Sequence, residues 1–206
     1  KVDCTVCHIP AFARGSSTEM HRDFTKPEVH ASKQLYEPAL TREANVTPRY
    51  RFWNGTSYVY DTGEQAVVDP LTQVTSLAYP VGDIDDANSR LFAFKLHTCE
   101  QPIDPVSRRL IPLKMGVYFT KGDLAGAVSA GVAALGWELP QGYEIEETER
   151  WMGIFHEVAP AEQALACNDC HGPNGRLDGD FLGYAPKESI GNTALCAACH
   201  EDLSLI

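Results

Sequence analysis

This 206-residue chain has no run of apolar residues long enough to cross a bilayer as a helix. The longest candidate, Leu124 to Leu139, is broken by glycines and polar residues, so no membrane span is expected. Positive charge is also scarce. Seventeen Lys and Arg stand against 28 Asp and Glu, a formal net charge of −11. Such a field repels nucleic acid, and no nucleic-acid partner is expected. A basic redox partner or an oxidised mineral surface is compatible with it. The only methionines are Met20, Met115 and Met152. The chain does not open on a secretory-leader pattern. At 44% apolar and 9% aromatic the composition excludes a disordered chain, while 16 Gly and 13 Pro predict much loop.

Cysteine is present in a pattern. Cys-x-x-Cys-His occurs three times, at Cys4-Cys7-His8, Cys167-Cys170-His171 and Cys196-Cys199-His200, and beyond these motifs the chain has no internal repeat. That pentapeptide is the attachment site of c-type haem: two thiolates add to the porphyrin vinyl groups and the histidine reaches the iron. Six of the seven cysteines are used in this way. Zinc sites pair Cys-x-x-Cys with a second ligand pair and do not place a histidine after each one, so zinc is not expected. Three haem c groups are. Each adds two propionates and one ferric charge, which takes the oxidised protein to roughly −14. Haem is attached covalently outside the cytoplasm. A periplasmic or extracellular location is therefore expected, with a leader removed.

Low-spin haem needs two strong axial ligands, and imidazole is the usual one. His8, His171 and His200 form the proximal set. His21, His30, His97 and His156 remain for three distal places, so the count predicts bis-histidine ligation with one histidine over. His97 follows the apolar run from Phe92, and His156 follows Trp151, Ile154 and Phe155 shortly before the second motif. Between the other two, His30 is favoured, because Pro27 as a helix start places it in a first turn. If His21 and His30 both ligate, one serves a haem of a neighbouring chain. A homo-oligomer with haems near its interfaces would follow. Cys99, the seventh cysteine, is read as a buried inert thiol; a reactive thiolate or an interchain disulfide are the alternatives. Asn174, Asp178 and Asp180 have the oxygen density of a calcium loop but lack its terminal glutamate, so a capped turn is preferred.

The local signals divide a single triheme unit, residues 1–206, into three stretches. Residues 1–47 are an N-terminal haem segment, 48–122 loop and hairpin, and 123–206 mostly helix with two haem motifs. Aromatic and β-branched residues around Asn54-Gly55 predict a small β-hairpin. Asp123 as N-cap, Leu124, Val128, Val132 and Leu135 at helical spacing, and Gly136 as a stop predict a helix over 123–136. Further helices are expected over Ala159–Ala166 and Asn192–Glu201. The resulting fold class is a multihaem cytochrome c, mainly α-helical, with much irregular loop and a core built around haems.

From Arg90 onward the chain resembles the octahaem tetrathionate reductase family of c-type cytochromes. The resemblance is carried by Phe94-Lys95-Leu96-His97, Gln101-Pro102-Ile103-Asp104 and Ile111-Pro112-Leu113-Lys114. It continues in Glu147-Thr148-Glu149, His156-Glu157-Val158-Ala159-Pro160, and Cys167-Asn168-Asp169-Cys170-His171-Gly172 followed by Asn174-Gly175-Arg176-Leu177-Asp178. It implies distal ligation by His97 and His156. It also implies a catalytic haem with an axial lysine, whose motif has no counterpart here; Lys33, Lys95 and Lys114 do not match it. The expectation is an electron carrier working with other redox proteins or cytochromes, with no side chain acting as acid or base. The alternatives are a reductase of a sulfur or nitrogen oxyanion and a docking subunit of an extracellular cytochrome assembly.

Overall fold

The structure is a computed structural model that describes residues 1–30, 32–171 and 175–183. The third motif, Cys196 to His200, and the helix expected over 192–201 lie outside the described residues. In chain order the elements are α1 (Cys4–His8), β1 (Thr18–His30), β2 (Leu35–Glu43), β3 (Arg49–Trp53), β4 (Ser57–Val59), β5 (Val67–Val68), β6 (Thr75–Pro80) and β7 (Arg90–Ile103). Then come α2 (Met115–Lys121), α3 (Leu124–Leu135), β8 (Glu144–Gly153), a 3₁₀ turn (Ala161–Gln163) and α4 (Cys167–His171). Strand outweighs helix, and the expectation of a mainly α-helical fold is corrected to a mixed β-sheet with short helices.

The strands form one eight-stranded sheet in the order β2-β1-β7-β8-β6-β4, with β3 also on β7 and β5 on β6. Strand β7 is the spine. It pairs antiparallel with β8 from Phe94 to Ile103. Its first half pairs antiparallel with β3, and Thr98 to Glu100 pair in parallel with His21 to Asp23 of β1. Its own sequence explains the central place. Leu91, Ala93, Cys99 and Ile103 alternate onto one face and are all buried.

Two local readings change with the sheet. Asn54-Gly55 does make a turn, with Gly55 at φ 93° and the Asn54 side chain accepting from Thr56 N and Oγ1. But β3 pairs with β7 and β4 with β6, so the flanking strands are not a hairpin. Pro27 starts no helix; it lies in β1, opposite Pro38 of β2, just past a bulge. The lost amide costs little there, because β1 pairs with β7 only over His21–Asp23 and has one open side at Pro27. The stretch Ala159–Ala166 holds a single 3₁₀ turn.

Helix α3 forms as the caps predict. Asp123 Oδ1 accepts from Gly126 N at 2.9 Å, and Gly136 adopts a left-handed φ of 65°. Val128 and Val132 are buried with Ile111. Gly131 permits the close approach of the preceding loop: a Cβ there would lie 1.9 Å from the Pro112 carbonyl oxygen. Backbone cannot rotate away from such a clash. Gly131→Ala is therefore expected to lower stability by about 1–3 kcal/mol from overpacking, against about 1 kcal/mol of helix propensity gained. A rise in Tm for this variant would contradict the packing described here.

Candidate haem sites

The first motif folds as a five-residue helix because Asp3 caps it, accepting from Thr5 N at 2.9 Å. Spacing of three and four places Cys4, Cys7 and His8 on one side of α1. Val6, on the other side, is 2% exposed and packs with Tyr50, Phe52, Leu91 and Ala93. His8 Nδ1 lies 2.9 Å from the Ala159 carbonyl oxygen. A carbonyl only accepts, so Nδ1 carries the proton and Nε2 keeps the lone pair. This is the tautomer and the second-shell support that a metal-binding imidazole needs. Ala159 N also donates to His8 O at 2.6 Å, and Leu165 N donates to Cys7 O at 2.9 Å. The residues of the first site therefore fit a haem c.

The second motif forms α4, with its acid inside the helix rather than before it. Asp169 Oδ2 accepts from Ala166 N at 2.8 Å and Asp169 O accepts from Arg176 N at 2.9 Å. His171 lines a narrow, mostly apolar crevice with Lys1, Val2, Phe52, Leu91, Leu177 and Leu182. These apolar walls suit a porphyrin face.

The two motifs, far apart in sequence, meet in space. Leu182, and with it Leu177 and Phe181 after α4, joins the cluster that buries Val6 of α1. Arg176 Nη1 donates to the Pro10 carbonyl. Tyr50 of β3 stands between the motifs. Burial pushes its hydroxyl above the usual phenol range; the Arg176 guanidinium opposes this, and the Cys170 and Cys7 thiols add to it. Sequence reasoning missed Tyr50 and Arg176. It also had no access to Ala159, whose contribution is a backbone carbonyl.

The other four histidines occupy three regions. His21 and His97 are in the sheet: His21 Nδ1 lies 2.8 Å from Thr98 Oγ1, and His97 Nε2 lies 2.9 Å from Glu19 Oε1. Burial moves the His97 pKa below its ordinary value, against the pull of Glu19. Burial also acts to raise the Glu19 carboxyl, but hydrogen bonds from Arg22 and His97 outweigh it and hold the group low. Since Nε2 donates to Glu19, Nδ1 is the lone-pair nitrogen of His97 in this arrangement. His30 ends β1, with Nδ1 3.0 Å from Ser32 Oγ. His156, 70% exposed, borders an open cleft of about 420 Å³ shared with Phe12, Lys95 and Met152. Its neighbour Glu157 has φ 60° and is held by Ala13 N at 3.0 Å and Arg14 N at 2.9 Å.

Cys99 is 5% exposed, and burial pushes its thiol up to about 12, which describes an inert core residue. Asp178 Oδ1 accepts from Phe181 N at 3.0 Å, a capped turn. Among the described residues, no group of three or more His, Cys, Asp or Glu is placed to hold a metal ion by itself.

A model of the bacterial cytochrome c family matches residues 15–174, a span that includes the second motif. Among solved structures, the octahaem cytochrome c from Shewanella oneidensis is similar at 33% identity with a TM-score of 0.77. The match covers 93% of this chain and 48% of that one, so the chain spans about half the length of its octahaem relative. No curated protein matches the chain. With the Cys-x-x-Cys-His helix α1 and the segment after α4 sharing one cluster, and the family match extending over most of its length, the chain belongs to the bacterial cytochrome c family and is a multihaem c-type cytochrome.

Proposed function

We propose that this protein carries electrons through three covalently bound c-type haems, each iron held by two imidazoles, in the periplasm or outside the cell. The observation that carries this reading is the packing of α1 and the segment after α4 into one hydrophobic cluster around Tyr50. When bound, haem supplies the one-electron couple. The chain supplies the rest. Cys4, Cys7, Cys170 and their partners fix the rings, and Ala159 orients His8. Val6, Phe52, Leu91 and Leu182 keep water from the space between the sites. A net charge of −11 favours a basic redox partner. Among the described residues, no helix is long and apolar enough to cross a membrane.

Haemochrome absorbance and the mass of the denatured holoprotein are expected to report three haems per chain. Magnetic resonance of the oxidised protein is expected to show only low-spin iron. A stoichiometric high-spin signal would instead support reduction of a sulfur or nitrogen oxyanion at an open iron, the activity that the octahaem tetrathionate reductase resemblance implies. The place of His30 supports a second reading, an assembly in which haem is shared between chains. Strand β1 runs parallel to β7, so His30 lies beyond its Glu100 end, whereas α1 bonds to the Leu91 end.

A further inference from the structure

Three charged side chains are buried together beside the haem motifs, and the electron-transfer reading does not use them. Arg51 on β3, Asp69 after β5 and Glu149 on β8 are 3%, 0% and 3% exposed. Arg51 Nη1 donates to Asp69 Oδ2, and Leu71 N donates to Asp69 Oδ1 at 2.8 Å. Glu149 Oε1 accepts from Thr72 Oγ1 at 2.6 Å and from Trp151 Nε1 at 2.9 Å. Asp69 stands within hydrogen-bonding reach of Glu149. Two carboxylates against a single guanidinium leave one buried negative charge in excess. Two acceptor groups also cannot bond each other without a proton. Both donors to Glu149 converge on Oε1, which leaves Oε2 as the atom for the proton that the pair shares.

We propose that the Asp69–Glu149 pair is a proton-binding site coupled to the oxidation state of the haems, gaining a proton as they are reduced and releasing it as they are oxidised. The inference rests on the electron-transfer reading above. The geometry supplies both the coupling and the route. Thr72 and Trp151, the two donors to Glu149, line a cleft of about 140 Å³ that also has Tyr50, Arg176 and Phe181 in its wall. Tyr50 is the residue that stands between Cys7 and Cys170. A change of charge at those motifs is therefore felt by Glu149 across one layer of side chains, in a medium that screens poorly. In the forward direction one electron arrives from an external one-electron donor. One proton passes from cleft water to the Glu149 carboxylate. Reoxidation returns both. Burial already raises the proton affinity of Glu149, and Asp69 adds to it. The charged groups facing the pair are Arg51 directly, and Arg49, Arg176 and Asp178 around the cleft. By linkage, a proton bound more tightly by the reduced protein makes the haem potential depend on pH by the same factor.

The test is a reduced-minus-oxidised infrared difference spectrum of the holoprotein, with a potentiometric titration at several pH values. Wild type is expected to show a carboxylic acid C=O band that shifts in heavy water and is lost in Glu149→Gln. The same variant is expected to lose part of the pH dependence of the potential. Asp69→Asn serves if Glu149→Gln does not assemble: without the Asp69 charge the proton affinity of Glu149 falls, and the band is expected to weaken or shift. A band unchanged by either substitution, or no band while the haems cycle normally, overturns the proposal. Haems that fail to cycle, seen in visible absorption, would count against the electron-transfer reading instead.

Discussion

Arg51→Met is expected to destabilise the folded protein by about 3–5 kcal/mol, the cost typical of removing one partner from a buried ion pair. The guanidinium holds Asp69 on one side and lies 4.8 Å from the Trp151 ring and 5.6 Å from the Tyr79 ring on the other. Methionine replaces much of the packing but none of the charge. Asp69 and Glu149 then lie together without a cation, both almost fully buried. The loss is expected to shrink as pH falls and Glu149, whose proton affinity burial raises, protonates. It should also be partly recovered in the double variant Arg51→Met with Asp69→Asn, where one charge has gone with its partner. Urea denaturation at neutral and acidic pH reads both effects. A loss below about 1 kcal/mol at neutral pH would mean that water reaches the cluster.

His8→Ala is expected to leave haem attached, because the thioether cysteines are untouched, and to open one iron per chain to carbon monoxide. Its oxidised magnetic-resonance spectrum should show one haem converted from low to high spin. The effect is large because the site depends on His8 twice. Nε2 is the nitrogen available to iron, and Nδ1 bonds Ala159 and ties α1 to the segment leading into α4. His8→Ala should therefore also perturb the second site, seen as a shift in a second haem potential. If only one haem changes, the two motifs are less tightly joined than their shared cluster implies. If carbon monoxide binding stays at the wild-type level, His8 is not an axial ligand.

The haem motifs and α3 were legible because each carries its own local code. Cys-x-x-Cys-His is chemically specific, and Asp123, the apolar stripe and Gly136 mark a helix with both ends. The sheet was not legible, and its residues show why. Strand β8 reads Glu144-Ile145-Glu146-Glu147-Thr148-Glu149-Arg150, a sequence poor in strand formers. Its buried positions are Thr148, Glu149 and Trp151. Alternation of apolar and polar residues is the usual strand signal, and it is erased when the inward face is itself polar. Strand β1 hides in the same way. Glu19 and His21 are satisfied by His97 and Thr98, partners close to 80 residues away. Glu19, Asp69 and Glu149 look like solvated acids in sequence, and only tertiary pairing gives them inward places. His8 could be named from its motif, but the carbonyl that orients it belongs to an alanine.

The bond from His8 to Ala159 spans 151 residues of chain, and that separation sets an order of events in time. Closing so long a loop costs on the order of 4 kcal/mol of chain entropy, so α1 gains little by docking before its partners exist. During synthesis α1 emerges well before β8 and residues 159–165. The parallel pairings of β1 with β7 and of β6 with β8 delay closure further, since non-local strand contacts form slowly. Cys4 and Cys7 thus remain undocked until β8 and residues 159–165 are present, accessible to whatever delivers haem to them. The same connection that brings the two motifs together in the folded protein keeps the α1 motif open until the later one has been made.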